Sequence, residues 1–197
     1  MRTITTGLAG AALALATTLA GATTLAGNLG DAGNVALVGS DLGAADFSDA
    51  NSVADNVALY TFTVTHAGTV SIVSTGFAGG GVDPYFTLFT GSGNTATFLD
   101  STNVQATSTG GDFTWTGSLA VGSYEIALGA FENMSFAENL GSGTLGDGFI
   151  FLGDPNSLGN GDYSLTLTTP VPEPTSAWLL AIGLAAVGTR VWRARRA

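Results

Sequence analysis

In Tyr60-Thr61-Phe62-Thr63-Val64-Thr65, aromatic and β-branched apolar residues alternate with threonines. Successive side chains of a strand point to opposite faces, so this repeat turns Tyr60, Phe62 and Val64 inward and Thr61, Thr63 and Thr65 toward water. Similar runs follow at Thr69 to Ser74, Tyr85 to Thr90, Thr95 to Leu99, Phe113 to Thr116, Tyr124 to Phe131 and Tyr163 to Thr168, with weaker ones at Val35 to Val38 and Gly148 to Leu152. His66-Ala67-Gly68 reads as a tight connection, which predicts a hairpin between the first two runs. No segment between the two chain ends has helical periodicity, and Gly, Asn and Asp separate the runs. One sheet with a period-two pattern would leave its apolar face wet; two packed sheets bury it. The expectation is an all-β domain over 27–169, a jelly-roll-like antiparallel β-sandwich of about seven to nine strands.

The two chain ends read differently. Arg2, the apolar run Leu8 to Leu19 and the small residues Ala20-Gly21-Ala22 and Thr24-Leu25-Ala26 have the layout of a signal peptide over 1–26, with cleavage after Ala22 or after Ala26 equally acceptable. At the other end, 170–197, Val171-Pro172-Glu173-Pro174 precedes an apolar stretch from Ala177 to Thr189 and a basic cluster of Arg190, Arg193, Arg195 and Arg196. The arginines keep their end cytoplasmic, so the rest of the chain lies outside. The 13 residues from Ala177 to Thr189 reach only about 20 Å as a helix, against a hydrocarbon core of roughly 30 Å. Such a span is marginal for a permanent anchor and suits a segment that holds the chain until it is cut.

This tail, with Val171, Pro172, Glu173 and Pro174 carrying the motif, resembles the PEP-CTERM sorting signal of exopolysaccharide-producing Gram-negative bacteria. The resemblance implies export by the secretion machinery, transient anchoring in the inner membrane through the C-terminal helix, and removal of the tail by an exosortase. It also implies a setting in the cell envelope, at the outer surface or in the extracellular polysaccharide matrix. A second resemblance rests on Tyr60 to Thr65, Gly68 to Thr75, Val82-Asp83-Pro84-Tyr85-Phe86-Thr87-Leu88-Phe89, Leu119 to Leu128 and Gly161 to Thr168. In that order they look like the bacterial pre-peptidase C-terminal domain, a small jelly-roll-like sandwich appended to secreted proteases and adhesins. Here no protease domain accompanies it, and Glu132 to Asn160 is longer and richer in glycine than that pattern needs.

All five Lys and Arg residues lie outside 27–170, whereas 14 of the 15 Asp and Glu lie inside it. A body this acidic repels nucleic acid and anionic lipid. It contains no cysteine, hence no disulfide, thiolate nucleophile or Cys-ligated metal. His66 is the only histidine, and it sits at a strand end beside a turn, where a solvated side chain is the ordinary outcome. No nucleophile elbow or phosphate-cradling loop is present, and nothing singles out two of the carboxylates for glycoside hydrolysis. The chain is therefore read as non-catalytic.

Two acidic loops supply oxygen ligands of the kind calcium takes. The first contains Asp41, Asp46 and Asp49 and continues to Asn51 and Asp55; the second contains Asp154 and Asp162. Neither has the ligand pattern of an EF-hand, and Asp and Asn favour turns unaided. No cofactor is required, and structural calcium is the one such loops would hold. Among the aromatics, Trp115 shares a face with Phe113 and reads as core, while Phe131 and Phe136 lie at the long loop and are the candidates for stacking on a sugar. These readings combine into a secreted structural or interaction protein of the exopolysaccharide matrix, with a calcium-assisted carbohydrate-binding module or adhesin as the alternative.

Overall fold

Among the described residues, eight strands make two sheets that face each other across a shared apolar core. They are β1 (Gly21–Asn28), β2 (Ala58–Val64), β3 (Gly68–Thr75), β4 (Pro84–Thr90), β5 (Thr97–Ser101), β6 (Thr114–Leu119), β7 (Gly122–Ala130) and β8 (Asp162–Thr169). The computed structural model describes residues 21–31, 33–34, 53–101, 111–150, 153–171 and 182–183. Its chain divides into two units, Ala20–Val171 and a second comprising Met1–Leu19 and Pro172–Ala197. In the second unit only 182–183 are described, and they are helical. Among the described residues no helix is long and apolar enough to cross a membrane. The strand expected at 35–38, most of the leader and most of the apolar stretch of the tail lie outside the described residues.

Within Ala20–Val171 the strands pair antiparallel as β1 with β8, β2 with β7, β3 with β6 and β4 with β5. Further ladders between β3 and β8 and between β4 and β7 join these pairs into sheets of order β1-β8-β3-β6 and β2-β7-β4-β5. Nested pairing of this kind is the jelly roll, so the expected sandwich is present.

The hairpin expected between β2 and β3 does not form. Thr65, His66 and Ala67 instead carry the chain from one sheet to the other, and β2 pairs with β7, Thr61 opposite Glu125. A two-residue hairpin needs turn residues that take positive φ, which His66 and Ala67 do not supply. Burial of both Val64 and Val70 is met by placing their strands on opposite sides of the core. The run at Thr95 begins two residues late because Gly93–Thr95 forms a 3-10 turn first. At 148–150 there is a single bridge, Ser135 with Phe149, in place of a strand.

β1 lies where the sequence suggested only the end of the leader. Its Thr24-Leu25-Ala26 sits opposite Thr166, Leu165 and Ser164, and Leu25 packs against the core.

The core holds Phe86, Leu88, Ile126 and Leu128 from the second sheet against Val70, Ile72, Trp115, Leu165 and Leu167 from the first. Phe86 stacks on Phe113 with ring centroids 4.6 Å apart and meets Trp115 edge-on at 6.2 Å. Each large side chain so buried contributes about 1.5–3 kcal/mol. Trp115 is 3% exposed, as its alternation with threonines predicts. Gly117, opposite Val70 on the neighbouring strand, gives the indole room: a Cβ there would come within 2.5 Å of the Trp115 ring.

The second sheet is buried over part of its outer face as well. β4 is buried at six successive positions, which requires cover on both sides. The cover is the long segment after β7, read from sequence only as excess length. Val57, Phe89, Ala96 and Ala127 form a second cluster with Ala137, Leu145 and Phe149 of that segment. It holds α1 (Phe136–Leu140), started by the Ser135 hydroxyl, which accepts from the Glu138 amide, and stopped by Gly141 in the left-handed region.

Candidate functional site

Glu138 of α1 is the point at which this cover is fastened. Its carboxylate accepts hydrogen bonds from the hydroxyls of Tyr85 and Thr87 on β4 and of Ser101 on β5, the last two at 3.2 and 2.7 Å. Glu138 is 9% exposed. Burial raises its pKa above the ordinary carboxylate value, opposed by the donors Tyr85, Ser101 and Thr87 and reinforced by the charge of Asp100. Burial also raises the Tyr85 phenol, and its bond to Glu138 adds to that. Every polar atom here is committed to another part of the fold, and the arrangement acts as a clasp.

Asp154 and Asp162 are each engaged locally. Asp154 accepts from the Asn156 amide at 2.9 Å and caps a short 3-10 turn. Asp162 accepts from the Asn28 side chain at 2.8 Å. Among the described residues no three acidic or histidine side chains converge as a metal cluster. Asp41, Asp46 and Asp49 lie outside the described residues, as do Pro172, Glu173, Pro174, Arg190, Arg193, Arg195 and Arg196. Val171 is half-buried at the end of the domain. His66 is exposed beside its turn, with Nδ1 3.1 Å from the Thr65 hydroxyl.

The two aromatic candidates part company. Phe131 is half-buried, with its ring edge-on to Tyr85 at 6.4 Å. Phe136 is 36% exposed, one helical turn from Leu140 at 74%, so that α1 presents an apolar pair to solvent.

The feature missed in the sequence is the outer face of the first sheet. Because Val70, Ile72, Trp115, Leu165 and Leu167 point into the core, their neighbours along each strand point out. One outward row reads Ala22, Thr168, Ser71, Thr116; the next Thr24, Thr166, Val73, Thr114; a third Ala26, Ser164 and Thr75. These rows carry hydroxyls and no charge, on a domain whose other surface is acidic. The third row runs into an open depression of about 200 Å³, lined by Thr75, Ser164, Asn160, Asp162 and the glycines Gly76, Gly79 and Gly81. Hydroxyl, amide and carboxylate groups beside bare backbone can exchange hydrogen bonds with a polyhydroxylated ligand. The signal was present in the Thr and Ser of each strand, but only the pairing of β1, β8, β3 and β6 assembles them.

The tail is decided by comparison with protein families. Residues 170–196 match the PEP-CTERM protein-sorting motif. The PEP-CTERM motif implies export to the cell envelope and processing by an exosortase, after membrane anchoring. Among solved structures, the chain is similar to the pre-peptidase C-terminal domain of a collagenase from Bacillus anthracis, at 15% identity and a TM-score of 0.34, covering 74% of this chain and 85% of that one. Comparison with curated proteins finds no match.

Proposed function

We propose that the protein is a non-catalytic component of the extracellular polysaccharide matrix, exported through its PEP-CTERM signal, that touches neutral polysaccharide through the hydroxyl face of β1, β8, β3 and β6. The observation that carries this reading is three outward rows rich in hydroxyls and free of charge, ending at the single carboxylate of Asp162, on a domain with no Lys or Arg. Anionic polymers are repelled by the acidic surroundings, whereas neutral glycans can trade water hydrogen bonds for protein ones. Contacts of this type are weak singly and add through repetition along a polymer. The test is binding of the purified protein to neutral and to acidic exopolysaccharide, beside a Thr75→Ala, Ser164→Ala, Thr166→Ala triple variant. The expected result is retention on neutral polymer alone and at least about a tenfold loss in the variant, from three hydrogen bonds at roughly 0.5–1.5 kcal/mol each. Equal binding by the variant sinks the assignment of the face.

A second reading, calcium-assisted glycan binding, is favoured by one atom. Asn56 is wholly buried, and its Oδ1 has no hydrogen-bond partner among the described residues. Its neighbour Asp55 accepts from the Gly153 amide at 3.0 Å, and burial raises its pKa. An amide oxygen without a donor beside a partly desolvated carboxylate suits a hard cation. In this reading the exposed Phe136 stacks on the sugar.

A further inference from the structure

Two bonds in the leader satisfy the small-residue rule for cleavage, after Ala22 and after Ala26, and the sequence ranks them equally. We infer that the leader is cut after Ala22, so that the mature protein begins at Thr23 and keeps β1 as the edge strand of its first sheet. The inference rests on reading 1–26 as containing a signal peptide.

β1 has eight cross-strand partners on β8, from Gly21 opposite Thr169 to Asn28 opposite Asp162. A cut after Ala22 keeps six of these, whereas a cut after Ala26 keeps only Gly27 and Asn28. The second cut would strip the outer edge of β8 from Ser164 to Thr169, leaving backbone donors and acceptors open to pairing with another chain. It would also remove Leu25, which packs against the core. By contrast, Ala22 is exposed, and nothing in the core rests on it.

Gly27 shows that the chain is fitted to its neighbour strand here. A Cβ at Gly27 would lie 2.5 Å from the Tyr163 hydroxyl, so the ring lies against bare backbone. A competing attraction exists: a cut after Ala26 would place a new ammonium at Gly27, near the Asp31 carboxylate, which accepts from the Asn28 amide at 3.0 Å. That pair is exposed, and exposed ion pairs contribute little. Six rungs of ladder and a core side chain outweigh it.

The experiment is N-terminal sequencing and intact-mass measurement of the protein secreted by its native host. A first residue of Thr23 is the expected result. A first residue of Gly27 overturns the inference and leaves the signal-peptide reading standing, while an intact Met1 in the secreted protein overturns that reading and the inference with it. Amide exchange on the mature protein gives an independent readout. With β1 retained, amides on both sides of β8 from Tyr163 to Thr168 exchange slowly. If every second one exchanged as fast as in an unfolded peptide, β1 would not be in place.

Discussion

The hydroxyls of Tyr60 and Tyr163 lie 2.7 Å apart, one on the edge strand of the second sheet and the other on β8 of the first. The bond ties the two sheets together beside β1. Burial first, then this partner, raises the Tyr163 phenol above its ordinary value. Tyr60→Phe removes the bond, at a cost of about 1 kcal/mol. The Tyr163 titration, followed by phenolate absorbance, should move down toward that of a free tyrosine. For the wild type, the sign follows from a raised folded-state pKa. The neutral phenol's contribution to stability is complete below pH of about 10 and is lost as pH rises through the folded value. A Tyr163 titration unchanged in the variant would show that the bond does not govern it.

At the opposite edge, the Trp115 indole donates to Asp100 at 2.9 Å, joining β6 of the first sheet to β5 of the second. Gly117→Ala places a methyl group against this indole and must either push the ring out or twist the strand. The expected destabilisation is about 1–3 kcal/mol, the usual range for overpacking. Trp115 fluorescence should shift to longer wavelength as the ring moves toward water. A variant that melts with the wild type and keeps its emission maximum would mean that the ring has room to spare.

Glu138 gives a pH-dependent outcome with the sign fixed by burial. Because its pKa is raised above the ordinary value of 4.5, the fold favours the protonated acid. Its contribution is full below that pH and declines as pH rises through the folded value. Glu138→Gln keeps the shape without the charge, so its melting temperature should gain on the wild type as pH is raised from acid to neutral. The opposite trend would mean that the three hydroxyl donors hold the carboxylate as an anion. Glu138→Ala leaves those hydroxyls without an acceptor and should cost about 2–3 kcal/mol, chiefly by loosening the cover.

If calcium completes the site around Asn56, millimolar calcium should raise the melting temperature over that in excess chelator, and Asn56→Leu should abolish the difference. Identical melting of the wild type in both buffers would end the calcium reading.

The period-two runs made the sandwich legible, because alternation reports which side of a strand is buried whatever its partner. Partnership itself was hidden. Tyr60 to Thr65 and Thr69 to Ser74 are close in sequence and alike in composition, yet they belong to opposite sheets, since pairing is set by the whole nested order. β1 was invisible for another reason: Gly21, Ala22, Ala26 and Gly27 are small and Leu25 is its one large apolar residue, so the strand shows little of the apolar alternation seen in the others. Glu138 looked like one loop carboxylate among many. Only the fold brings the hydroxyls of Tyr85, Thr87 and Ser101 to it.

In the mature chain Thr23 faces Leu167 across the ladder, so the first strand begins within two rungs of where the last one ends at Thr169. Tension between the two ends would therefore open the sheet like a zipper, breaking rungs one after another, instead of shearing all of them together. The fold suits a body hung from a single point, and is ill suited to serve as a link in a chain under load.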